Sequence, residues 1–110
     1  MPTPSRKKPI EPPHPGFVLR DYLKRERISF TKVADAIDLS RQNLNEILHG
    51  RTRINASVAL GLSAALGTSA EFWLTLQLRH DLWRLRKDSM VKAYIRSVPK
   101  LTKNLPAHAA

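Results

Sequence analysis

Ser40, Arg41, Gln42, Asn45 and Glu46 stand together in the stretch SRQNLNE, and their side chains are suited to bonding the edges of nucleic-acid bases. A guanidinium such as that of Arg41 can donate to both major-groove acceptors of guanine. A carboxamide such as Gln42 or Asn45 can bond adenine in the same two-pronged way, and each good contact discriminates by about 1–3 kcal/mol. At helical spacing these residues share the outer side of a short helix whose inner side is Leu44, Ile47 and Leu48. Such a helix meets base edges with its first turns, where Ser40, Arg41 and Gln42 lie.

The elements that must hold this face are legible on both sides. Ser29 is placed to cap a preceding short helix, with Val33, Ala34 and Ile37 on one face and Ala34 small enough to let two helices approach. Asp38 stands at the turn, where Asp tolerates a left-handed backbone better than most residues, and Ser40 caps the second helix, which Gly50 stops. Upstream, Pro15 opens a helix in which Val18, Leu19, Tyr22 and Leu23 recur at three- and four-residue spacing. Downstream, Asn55 caps a helix with Val58, Ala59, Leu62, Ala65 and Leu66 inside, ended by Gly67. Thr68 with Glu71 fits a capping box for a long helix, and Ser69 is the alternative cap. Apolar residues cover more of that helix than one core contact requires. The surplus predicts a dimer seam through Trp73, Leu74, Leu78, Leu82 and Leu85. From Asp88 the period blurs; Met90, Val91, Tyr94 and Ile95 extend the helix or form another short one, and Pro99 ends it.

The motifs HPGFVLRDYL (His14 to Leu23), SRQNLNEILHGRTRI (Ser40 to Ile54) and LGTSAEFWLTLQLRHDL (Leu66 to Leu82) resemble HigA-type antitoxins of bacterial toxin-antitoxin modules. These belong to the lambda-repressor and Cro-like helix-turn-helix proteins, and the resemblance runs from His14 to about Leu85. It implies an all-α, five-helix domain with a long C-terminal helix, in which the loop after the recognition helix runs beside the DNA backbone. Ser29, Asn43, Arg51 and Arg53 are then the phosphate contacts, and Ser40, Arg41, Gln42, Asn45 and Glu46 read bases on a palindromic operator as a homodimer. It also implies neutralisation of a RelE/HigB-like ribonuclease toxin, which no residue suggests independently; the alternative is a stand-alone regulator without a toxin. The chain departs from the family in having Asp38 where Gly is frequent and Ser40 where Pro is frequent.

Composition narrows the remaining classes. The 110 residues suffice for one domain, expected over residues 14–96, between a Pro-rich basic arm at 1–13 that is expected to be disordered and a flexible tail at 97–110. A net charge of +10 favours a polyanionic partner, although the helix-turn-helix at 29–50 is itself nearly balanced. No run has the roughly 18 apolar residues of a membrane span, and the N-terminal residues carry charge and proline in place of a signal peptide, so a cytoplasmic protein is expected. There is no cysteine, and His14, His49, His80 and His108 lack metal-site spacing. No Gly-rich phosphate loop and no nucleophile with its base can be recognised, so neither catalysis nor a cofactor is expected.

Overall fold

Each described helix begins where a polar side chain folds back on its own first turn and satisfies an N–H that would otherwise lack a partner. Ser29 Oγ accepts from the Lys32 N–H at 3.3 Å and Ser40 Oγ from Asn43 at 3.0 Å. Asn55 Oδ1 accepts from Val58 at 2.8 Å, and Ser69 Oγ from Phe72 at 3.0 Å. The computed structural model describes residues 11–102, and over this span the chain is all-helical. Six helices follow in order: α1 (Pro15–Arg25), α2 (Phe30–Ala36), α3 (Arg41–Leu48), α4 (Ala56–Leu66), α5 (Ala70–Lys87) and α6 (Ser89–Ser97).

Ser69, the alternative cap, starts α5. Thr68 instead turns its Oγ1 inward, where it accepts from the Trp73 indole N–H at 2.7 Å. The open question at Asp88 is resolved as a separate sixth helix. Asp88 closes α5 and caps α6, its carboxylate accepting from Met90 at 2.8 Å and Val91 at 3.1 Å. The basic triplet Arg6 to Lys8 and the tail from Lys103 onward lie outside the described residues. The last residues of the expected arm do have a place, since the Pro12 carbonyl accepts from His80 Nδ1 on α5 at 3.1 Å.

The first three helices stop in the same way. After α2, the N–H of Leu39 bonds the Ala34 carbonyl at 2.9 Å while Asp38 adopts φ 56°, the left-handed turn expected there. Arg27 at φ 57° and Gly50 at φ 72° close α1 and α3 by the same paired bonds. Gly50 also lies under the Phe17 ring, where a Cβ would stand 2.8 Å from Cζ.

Leu19, Leu23, Val33, Ala34, Leu44, Ile47, Leu48, Ile54, Ala59, Leu62 and Trp73 form one buried core. Trp73 is 1% exposed, which removes it from the expected seam: its indole fills the protomer's own interior. Leu74 is half-buried against that core, whereas Leu78, Leu82 and Leu85 are exposed on the outer side of α5. Ala65, expected inside α4, is exposed as well. Among the described residues, no helix is long and apolar enough to cross a membrane.

Helix α1 lies on α3 at a contact only glycine allows. A Cβ on Gly16 would sit 1.7 Å from the Ile47 carbonyl oxygen. His14, buried at the start of α1, accepts the Gly16 N–H on Nδ1 at 2.9 Å. The opening His-Pro-Gly is therefore a cap, a helix-compatible first residue and a close-approach point in consecutive positions.

Candidate nucleic-acid interface

Packing of Leu44, Ile47 and Leu48 against the core fixes the rotation of α3 and turns Arg41, Gln42, Asn43 and Asn45 to solvent. Their side chains have no partner among the described residues, and Ser40, having accepted from Asn43, keeps its own hydroxyl hydrogen free to donate. Arg41 and Asn45 edge an open groove of about 450 Å³ between α2 and α3, together with Gln42, Phe30 and Thr31, and Leu44 and Leu48 line it. A polar rim over an apolar floor suits a base pair, whose donors and acceptors lie beside a thymine methyl. Asn43 occupies the opposite edge of the exposed surface of α3. Ser29 is exposed at the start of α2, its hydroxyl oxygen engaged in the cap.

Glu46 is placed differently from the other base-reading candidates. Its carboxylate meets Arg51 NH1 at 3.5 Å, so it leans toward the loop after α3. An exposed pair of this kind adds about 0–1 kcal/mol, and either partner can exchange it for another contact. Arg53 is anchored more firmly: NH1 lies 2.6 Å from Asp81 Oδ2 on α5, with the carboxylate largely shielded from water. The other Asp81 oxygen accepts from Gln77 Nε2 at 3.0 Å, and Gln77 Oε1 accepts the Ile54 N–H at 2.7 Å. The loop after the candidate recognition helix is thus tied to α5 through both a backbone group and a side chain.

The helix-turn-helix family profile matches residues 19–73. Antitoxin HigA-1 of Vibrio cholerae is 34% identical over 82 residues, which are 74% of this chain and 77% of that protein. The HigA antitoxin of Pseudomonas aeruginosa, solved with the higBA promoter, superposes with a TM-score of 0.72 at 30% identity, over 83% of this chain and 99% of that one. The chain belongs to the HigA antitoxin family.

A further relative, virulence-associated protein A' of Dichelobacter nodosus, is 43% identical over 72 residues. The match takes in 64% of this chain and 63% of that protein, so the HigA-family chain spans under two thirds of that relative's length. The family is one of DNA-binding antitoxins and regulators and not of enzymes.

Two groups beside the interface escaped the sequence reading of this HigA-family chain. Gln77 and Asp81 follow Trp73 at four-residue steps on the buried side of α5, and all three are buried. That spacing was the available signal, hidden because two of the three are polar. His14 and His80 form the second group, their rings 5.1 Å apart and edge-on. Burial holds the His14 imidazole below its ordinary pKa and His80 acts in the same direction, against the opposing Asp81 carboxylate and Thr52 backbone. Nδ1 must stay unprotonated to accept from Gly16.

As pH falls, the unfolded chain therefore takes up this proton first. The stability tied to neutral His14 is complete above the unfolded value of about 6.5 and is lost as pH falls through the folded value. Thermal melts between pH 8 and 5 should show Tm declining on the acid side in the wild type. His14→Asn, which keeps a capping acceptor, should decline less; an equal decline would assign the effect to other groups.

Proposed function

We propose that this protein represses its own operon by binding, as a homodimer, a palindromic operator, and that it neutralises a RelE/HigB-like ribonuclease toxin. The observation that carries the repression half is the exposed row Arg41, Gln42 and Asn45, whose side chains have no partner among the described residues, beside the free hydroxyl hydrogen of Ser40, on a helix held by its apolar side. Bases are read by that row with Glu46, and phosphates are held by Ser29, Asn43, Arg51 and Arg53. The Pseudomonas aeruginosa antitoxin HigA solved with the higBA promoter, similar in fold at 30% identity, supports the reading.

Two copies would join through Leu78, Leu82 and Leu85, which leave a leucine ridge on α5 open to solvent. Two-fold pairing would place two α3 helices about 34 Å apart, one turn of DNA. Toxin neutralisation rests on family membership, and the chain itself does no catalysis. Its place is the cytoplasm, where operon and toxin are.

The test combines partner and operator. Co-expression of the tagged chain with its neighbouring small reading frames should retain, through a high-salt wash, a small protein that arrests growth when expressed alone. Arg41→Ala should cost about 1–3 kcal/mol on the DNA upstream of its gene and relax preference at one base pair, with little change on random DNA. Equal losses on both duplexes would remove Arg41 from base reading, and the absence of any such partner would leave a repressor alone.

A further inference from the structure

Beside the interface, α5 and the loop after α3 border a cleft of about 310 Å³ lined by the segment from Gly50 to Arg53 and, on α5, by His80, Asp81 and Arg84. Three guanidinium-bearing residues line it, and their partners differ. Arg51 is shared with Glu46 and Arg53 with Asp81. Arg84, one turn beyond His80 on α5 and exposed, makes no ion pair among the described residues. Within the cleft Asp81 offsets Arg53, while Glu46 meets Arg51 from outside it through a weak exposed pair, so the lining is net positive and Arg84 is its guanidinium with no carboxylate partner among the described residues. Glu46 and Asp81 also brace their partners, leaving the remaining guanidinium N–H groups free for an outside acceptor.

We infer that this cleft takes one phosphodiester of the DNA flanking the bases read by α3, with Arg84 as its principal phosphate ligand and Asp81 as the residue that positions Arg53. DNA is favoured over other anions by continuity: the cleft wall from Gly50 to Arg53 is the segment leaving the C-terminal end of α3. An arginine fork matches the geometry of a phosphate, and a helix as well anchored as α5 fixes its origin. The contact surface then includes α5, a helix outside the reading unit. This inference rests on the operator reading above.

The test measures affinity by fluorescence anisotropy, on the duplex upstream of the gene and on a random duplex of equal length, across a salt series. Arg84→Ala, a surface change that leaves the core untouched, should weaken both duplexes by a similar factor, on the order of tenfold. It should flatten the dependence of log K on log salt by roughly one unit. Arg96→Ala, on α6 and outside the cleft, should leave that slope unchanged. On upstream duplexes carrying single methylphosphonate linkages, one position should weaken the wild type yet weaken Arg84→Ala no further.

An unchanged slope in Arg84→Ala, or additive losses at every linkage, would overturn the inference. The operator reading would stand if Arg41→Ala still lost its preference for the upstream duplex. A wild-type protein that did not distinguish the two duplexes would overturn both.

Discussion

Gly16→Ala is expected to be the most damaging single-methyl change in the chain. The added carbon would fall 1.7 Å from the Ile47 carbonyl oxygen and 3.0 Å from His14 Nδ1, so α1 must move away from α3 and its cap must loosen. Overpacking of this kind costs about 1–3 kcal/mol and occasionally more. Here the obstacle is backbone, which cannot swing aside as a side chain can, so about 3 kcal/mol or more is expected. That is a large share of the roughly 5–15 kcal/mol holding a domain of this kind together. Urea unfolding followed by circular dichroism should show a much lower midpoint at an unchanged slope. A loss below about 1 kcal/mol would mean that α1 and α3 do not approach so closely.

Gln77→Leu should come next. The side chain accepts from a buried N–H at Ile54 and donates to a carboxylate, and Leu removes both functions while occupying similar space. A buried donor left without a partner costs about 1–3 kcal/mol, and a carboxylate stripped of one of its donors adds to that, so about 2–5 kcal/mol is expected. Hydrogen exchange distinguishes this from a general packing defect. The Ile54 amide should exchange much faster relative to the amides of α1 in Gln77→Leu, because the loop is released at that point. Uniform acceleration across the domain would show that Gln77 is only a space-filling residue.

These two residues also mark where sequence reading succeeds and where it stops. Ser29, Ser40, Asn55 and Ser69 announce their helices because each bonds an N–H three residues away, so the whole interaction lies in one short window. The left-handed turn at Asp38 is local for the same reason. The reading face was legible because the apolar residues of α3 leave only one side for Arg41, Gln42 and Asn45.

The Gln77 bond to Ile54 spans 23 residues, and the His80 bond to Pro12 spans 68. No local pattern registers contacts at that range. On α5 the apolar period misled in a definite way: Trp73 was grouped with the outward leucines, while the core side continued through Gln77 and Asp81. A buried hydrogen-bonded pair does the work of two leucines there and looks like solvent-facing surface in the sequence.

Asp88 has a further consequence. Because a single residue both ends α5 and starts α6, the orientation of α6 is decided at one backbone joint, and none of its residues is buried. Nine residues fall short of the roughly 12–15 at which an isolated helix becomes even marginal in water, and unlike the shorter α2 and α3 this helix has no buried residue to hold it. Its opening does not require the core to open. Met90, Tyr94 and Ile95 stand 80%, 68% and 55% exposed along it. A molecule that covers them slows amide exchange in this segment without any change in the core, so α6 reports contact at its own face independently of the rest of the fold.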